Sequence, residues 1–305
     1  MLLKKNYEVH GIIRHVALEN STNRLSRIKH LIKKITLHPA SMESFPSIYK
    51  IIQKIQPDEI YHLAAQSYVG YSFQDEFSTL NTNINGTHYV LSSVAEINKD
   101  IKFYFAASSE MFGNTNISPQ KEDTPFNPRS VYGISKVAGY NLTKNYRETY
   151  NIHASSGILF NHESPRRGPE FVTRKISLGV AKIKLGLQKK IKLGNIKSKR
   201  DWGYAKDYVE AIWKILQQKN PDDYVIGTEK NYSVENFLEI AFDHVNLDYK
   251  KYIEIDKNLI RPSDINLLVA NTKKAKKVLK WKHKTSFIKL VKMMVDHDIK
   301  ELNKK

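Results

Sequence analysis

Two short stretches of this 305-residue chain put reactive side chains at spacings that can do chemistry. Tyr132 and Lys136 lie four residues apart, so a helix would stack them on one face, one turn apart. A free phenol titrates at about 10 and is a poor base at neutral pH. A neighbouring ammonium favours the phenolate, and the same lysine can hold a ribose hydroxyl. Such a pair can take an alcohol proton while hydride leaves for a nicotinamide ring. Most Tyr-x-x-x-Lys pairs are plain surface pairs on helices, so this one needs company. Ala106-Ala-Ser108-Ser109-Glu110, directly after an apolar run, supplies it. Its small residues let a ligand approach a strand end, and a hydroxyl and a carboxylate follow. Alone, that run reads as a turn or a helix cap. One loop before Tyr132, it completes a serine–tyrosine–lysine arrangement.

Glu110 narrows the chemistry. A dehydrogenase or epimerase needs no carboxylate beside the serine. A carboxylate there can remove a proton α to a new ketone and assist loss of a neighbouring hydroxyl as water. A third stretch, Leu63-Ala64-Ala65-Gln66-Ser67, closes another apolar run, and its small residues would let backbone pass close to a dinucleotide. In isolation it is equally an ordinary strand-to-helix turn.

These residues need strands to carry them. Apolar, β-rich runs at 7–13, 35–38, 59–64, 103–107 and 153–159 alternate with helical patterns at 24–33, 47–55, 82–96 and 132–150. That alternation predicts an α/β fold, a Rossmann-like doubly wound parallel sheet covered on both faces. After Asn161 the rhythm changes at the basic turn Pro165-Arg-Arg-Gly168. Helices are expected at 172–185, 207–217, 233–245 and 272–279, with a strand at 224–226. Residues 1–165 therefore read as the dinucleotide domain and 166–305 mainly as a smaller substrate lobe, with about 205–228 returning to the sheet. The lobe would fold over the C-terminal strand ends, where open α/β sheets bind ligands.

The net charge of +18 admits an anionic partner, but the lysines are scattered and no nucleic-acid motif accompanies them. No apolar run approaches the roughly 20 residues of a membrane helix, and polar residues interrupt the N-terminus at once, against a signal peptide. The chain has no cysteine, which excludes disulfides, thiolate metal sites and cysteine nucleophiles. The expectation is a cytoplasmic protein without nucleic-acid or membrane partners.

From about residue 2 to 300 the chain closely resembles the GDP-mannose 4,6-dehydratase family. The resemblance rests on Tyr7-Glu-Val-His-Gly-Ile-Ile-Arg14, Pro57-Asp-Glu-Ile-Tyr61, Asn161-His-Glu-Ser-Pro-Arg-Arg-Gly168, Phe171-Val-Thr-Arg-Lys175, Arg200-Asp-Trp-Gly203 and Ala205-Lys-Asp-Tyr208. It implies conversion of GDP-mannose to GDP-4-keto-6-deoxymannose, with NADP reduced and reoxidised in one turnover. Carried over, Tyr132 deprotonates the sugar 4-hydroxyl, and Lys136 lowers the Tyr132 pKa and holds the nicotinamide ribose. Glu110 removes the C5 proton, and Ser108, where the family usually has threonine, hydrogen-bonds the 4-oxygen. Arg14, residues Leu63 to Ser67, His162 and Arg167 match cofactor contacts. Asn161, Arg174, Lys175, Arg200 and Arg261 are candidates for the GDP-sugar, since guanidinium forks suit diphosphate oxygens. The family usually forms homodimers or homotetramers.

The departures cluster on the cofactor side. The family begins with a strand, a Gly-x-x-Gly-x-x-Gly loop and a helix, and Met1-Leu-Leu-Lys-Lys matches only the tail of that helix. The resemblance thus implies an N-terminally truncated sheet lacking its mid-sheet first strand and the loop that meets the pyrophosphate. Unpaired edges there would cost about 1–3 kcal/mol per unsatisfied buried group. Ser41 stands where an aspartate is usual, Tyr68 for histidine, Ser78 for tyrosine, and His15 for the second of two arginines. Two readings follow: a working dehydratase whose start lies about 20 residues upstream, or a truncated relative that binds GDP-sugar weakly or is inactive. A nucleic-acid binder rests on charge alone.

Overall fold

The computed structural model describes residues 1–14, 25–259 and 268–304. Strands β1 (His10–Arg14) and β2 (Thr36–Ala40) pair in parallel, with a basic 3-10 stretch at Ser26–Lys34 before β2. Helix α1 (Phe45–Ile55) carries Pro46 in its first turn, where the missing N–H is not needed, and buries Ile48 and Ile52. After β3 (Glu59–His62) come α2 (Glu76–Leu80) and α3 (Gly86–Ile97), joined by a π-helical turn at Asn81–Asn85. Strand β4 (Lys102–Ser108), helix α4 (Val131–Tyr150) and strand β5 (Ala154–Leu159) complete the alternation.

The second half is more broken. Strand β6 (Asn161–Glu163) leads into α5 (Val172–Lys184), then β7 (Ile191–Leu193), β8 (Lys199–Arg200) and β9 (Trp202–Tyr204). Helix α6 (Ala205–Leu216) and β10 (Tyr224–Ile226) follow, then β11 (Tyr232–Ser233), α7 (Val234–Asp243) and β12 (Ile253–Ile255). The chain closes with α8 (Lys273–Val278) and α9 (Phe287–Leu302). Helix α9 has no counterpart among the helices expected from sequence.

The main sheet has the order β10-β5-β4-β3, all parallel. All six residues of β5 are buried, as a parallel strand covered by helices on both faces requires. The doubly wound α/β architecture is the expected one. β1 and β2 form a separate pair, and among the described residues β1 and β3 each keep one edge without a strand partner. Tyr7 ties the two sheets together: its hydroxyl donates to Glu59 Oε1 (3.3 Å) and accepts from Trp213 Nε1 (2.9 Å).

Strand β10 rejoins the sheet beside β5. The chain then crosses back once more. Gln120 and Val269 exchange hydrogen bonds of 2.8 Å, Leu268 and Ala270 enter the sheet's core, and Trp281 Nε1 donates to the Asp207 carbonyl (2.9 Å). A second core lies among α5, α7 and α9, built on Ile176, Val180, Trp202, Phe237, Phe287 and Met294. No helix among the described residues is long and apolar enough to cross a membrane.

Candidate active site

The C-terminal ends of β3, β4 and β5 open on a cleft of about 440 Å³ between the sheet and the second core. β4 ends at Ser108, whose hydroxyl accepts from the Glu110 N–H (3.2 Å) and so turns the chain with Glu110 at the strand mouth. Ser130 caps α4 by accepting from the Gly133 N–H (3.0 Å), which sets Tyr132 in the first helical turn and Lys136 in the next. Two glycines let that helix lie close to the strand. A Cβ on Gly133 would sit 2.9 Å from the Glu110 carbonyl oxygen, and one on Gly139 2.4 Å from the Phe105 ring. A methyl group at either would lift Tyr132 away from Ser108.

The result is a compact set of reactive groups. Lys136 is 4% exposed; its ammonium donates to the Ala106 carbonyl (2.9 Å) and lies 5.8 Å from the Tyr132 ring centroid. Burial lowers the lysine to about 8. Tyr132 is pushed up to about 12, first by burial; its hydrogen bond with Ser108 draws it down, Glu110 pushes it up and the Arg167 charge draws it down. Lys136 is held at a backbone carbonyl, one helical turn from Tyr132.

The structure gathers most of the predicted residues. Ser108, Glu110, Tyr132 and Lys136 share the cleft with Leu63, Ala65 and Ser67. From the other half come Asn161, His162, Arg167, Lys175 and Arg200. Parallel pairing of β6 with β9 places Asn161 and His162 beside Trp202 and Gly203. His162 contacts the Phe160 carbonyl through Nδ1 (3.0 Å), stacks on Tyr208 (5.3 Å between centroids) and is lowered by burial. Arg200 is buried, with Nη1 donating to the Lys199 carbonyl (2.8 Å). Burial also lowers Lys175.

Four of the described candidates stand apart, and a fifth is not among the described residues. Ala64 and Gln66 do not line the cleft, and Gln66 Oε1 is buried without a hydrogen-bond partner. Arg14 is exposed at the end of β1, outside the lining. Arg174 is turned from the cleft into an ion pair with Asp298 of α9, whose other oxygen accepts from the Ser177 hydroxyl (2.7 Å). Arg261 lies outside the described residues.

Asn83 is the site residue that sequence reasoning missed. In the π turn its side chain accepts from the Gln66 N–H (2.8 Å) and donates to the Gln66 carbonyl (3.1 Å) and the Ser135 hydroxyl (2.9 Å). Ser135 in turn donates to the Tyr132 carbonyl (2.7 Å), so one asparagine locks the turn after β3 to the catalytic helix. The sequence signal is weak: an asparagine inside an apolar helical pattern, at a π turn of the kind that marks functional sites.

The residues fit the nicotinamide half of a dinucleotide. Ala65, Ala106 and Ala107 leave the strand ends open, and Lys136 reaches the Ala106 carbonyl from the adjoining helix. Fold and site together define a Rossmann-type α/β protein with serine, tyrosine, lysine and glutamate gathered at its strand ends. Solved structures of that fold match nearly the whole chain. The UDP-glucose 4-epimerase of Thermotoga maritima matches with TM-score 0.85 at 22% identity, over 99% of this chain and 94% of its own. A dTDP-glucose 4,6-dehydratase from Bacillus anthracis, in complex with NAD, matches with TM-score 0.85 at 20% identity, over 99% and 92%.

Sequence comparison is more specific. A family model described as GDP-mannose 4,6 dehydratase matches residues 1–294. "GDP-mannose 4,6 dehydratase 1" of Arabidopsis thaliana is 49% identical over 98% of this chain and 84% of its own length. The human GDP-mannose 4,6 dehydratase is 42% identical over 98% and 86%. The chain belongs to the GDP-mannose 4,6-dehydratase family.

Proposed function

We propose that this chain dehydrates GDP-mannose to GDP-4-keto-6-deoxymannose. The observation that carries the reading is Glu110 facing the same cleft as Ser108, Tyr132 and Lys136. Tyr132 takes the proton of the sugar 4-hydroxyl, and Ser108 hydrogen-bonds the oxygen left behind. A nicotinamide, when bound, would supply the redox chemistry as hydride acceptor and then hydride donor. Ketone formation acidifies the C5 proton, which Glu110 removes as the C6 hydroxyl departs as water. Lys136, buried one helical turn from Tyr132, would hold the cofactor ribose.

Asn161, Lys175 and Arg200 present amide and cationic donors suited to the diphosphate of the GDP-sugar, while His162 and Arg167 are the candidates of this wall for the cofactor. Arg174 and Arg261 stay candidates for the same ligand, though Arg174 first has to leave Asp298. NADP is the proposed cofactor, with Arg14 at the end of β1 answering the 2′-phosphate. A cytoplasmic homodimer or homotetramer is the proposed working form. The test is to incubate the purified chain with GDP-mannose and NADP and follow the 4-keto sugar by mass spectrometry. Loss of 18 mass units without net cofactor reduction is expected, from expulsion of one water. Unchanged GDP-mannose at every cofactor concentration would remove the reading.

A further inference from the structure

The turn after β3 and the loop before α5 each send one aromatic ring into the cleft. Tyr68 and Phe171 both line it, and their rings meet edge to face, with centroids 5.7 Å apart and planes at 79°. That is a favoured arrangement for two aromatic quadrupoles. The Phe171 ring also carries the Arg167 guanidinium, whose carbon lies 3.5 Å from its centroid. Arg167 Nε is 3.2 Å from Glu163 Oε2 in β6, so one chain of contacts crosses the cleft from Tyr68 to β6. Both rings stand on fixed backbone. The Tyr68 carbonyl accepts from the Tyr71 and Ser72 N–H groups (3.0 and 3.3 Å) and from Gln66 Nε2 (3.2 Å). Gly70 makes room for the ring, since a Cβ there would sit 3.0 Å from it. Phe171 is the N-cap of α5; its N–H donates to the Gly168 carbonyl (3.2 Å) and its carbonyl accepts from the Lys175 N–H (2.8 Å). Neither ring belongs to a hydrophobic core, so the packing of the cores does not account for the pair.

We propose that Tyr68 and Phe171 form an aromatic clasp that joins the two walls of the cleft and slows release of a bound dinucleotide. The identity of that ligand rests on the function proposed above; the clasp itself does not. Leu63, Ala65 and Ser67 lead into Tyr68 on one wall, and His162 and Arg167 belong to the other. The clasp therefore ties together the cofactor candidates of both halves. Tyr68 follows a strand of the main sheet, whereas Phe171 opens a helix of the second core. Separating the walls breaks the ring pair, so the pair sets how often the cleft opens. A cycle that reduces one nicotinamide and then reoxidises it needs that cofactor to stay between the two hydride steps. Retention is what the clasp contributes.

The experiment has two arms on the full chain. The first is amide hydrogen exchange without ligand. F171A should speed exchange of the Tyr71 and Ser72 amides on the opposite wall, and Y68A that of the Arg167 and Phe171 amides. Each change should be about two- to tenfold, the worth of one aromatic pair. The second arm is stopped-flow release of NADPH. Both single variants should release it about two- to tenfold faster, and the Y68A/F171A double variant no faster than F171A, because the same contact is lost only once. Y68F, which keeps the ring, should match wild type in both arms. Variants that loosen only their own wall overturn the proposal, and so does unchanged release of bound NADPH. A lowered melting temperature with exchange and release unmoved also overturns it, by making the pair a packing contact alone. Y68F behaving as Y68A does the same. If wild type binds no NADPH while the exchange effects cross the cleft, the proposed cofactor fails and the joining of the walls stands.

Discussion

The main sheet and the β1–β2 pair are both parallel β-structure, yet they are stabilised very differently. β4 is paired on both sides, and Phe103, Tyr104 and Phe105 in it are fully buried. In β1 no residue is buried, and Ile12 is 42% exposed. Two strands without a third, or a broad apolar face, are marginal in water. The proposed proton-transfer groups hang from the first region, and the Arg14 end of the proposed cofactor site hangs from the second. The proposed catalytic geometry is thus built on the better-buried region. The predictions below test that contrast, from the largest effect to the smallest.

Tyr132→Phe and Glu110→Gln should each reduce turnover by about 10²–10⁴-fold, the usual worth of a general acid or base. Thermal melts should show both variants as stable as wild type, because the scaffold beneath them is untouched. Truncation inside the two regions should diverge next. Phe103→Ala should cost about 3–5 kcal/mol in denaturant unfolding, and Ile12→Ala less than about 1, for lack of a cavity to create. Equal costs would erase the contrast.

Lys136→Met should stabilise the protein at neutral pH while abolishing activity. Burial lowers the folded lysine to about 8 from an ordinary 10.5, so burying the charged form costs ~3 kcal/mol, offset by ~1 for the lost bond to Ala106. The folded pKa is lowered, so the cost is complete below about 8 and disappears as pH rises toward 10.5. The advantage of the methionine variant should therefore shrink between those two values. Ser130→Ala, which uncaps α4, should cost about 1 kcal/mol, and its measurement is a chemical-denaturation midpoint. The smallest effect is local: amides of β1 and β2 should exchange with deuterium at least about tenfold faster than those of β4 and β5.

Much of this was legible in the residues themselves. Alternating patterns located β3, β4, α4, β5 and β10 to within a residue or two, and the runs of β4 and β10 are the plainest because their centres, residues 103–107 and 224–226, are unbroken apolar stretches. Tyr132, Lys136, Ser108 and Glu110 were recoverable because their spacing follows from one strand end and one helix. Helix α9 escaped even though Phe287, Leu290, Val291, Met294 and Val295 keep helical spacing; its stripe ends on a buried aspartate. That aspartate, Asp298, is also why Arg174 turns away from the cleft, a pairing across 124 positions that no local pattern encodes. Asn83 was invisible for a similar reason. Its role lies in hydrogen bonds to Gln66 and Ser135, on segments distant in sequence, and a polar residue looks the same on paper whether it is solvated or clamping a site.

The central claim is that one cleft oxidises C4, eliminates water across C5 and C6, and reduces C6 without releasing the electrons. GDP-mannose deuterated at C4 tests it most directly. Mass spectrometry and NMR should find the label at C6 of a 4-keto-6-deoxy product, with no net accumulation of reduced cofactor. A 4-keto sugar retaining its C6 hydroxyl, with deuterium found on released cofactor, would contradict the account.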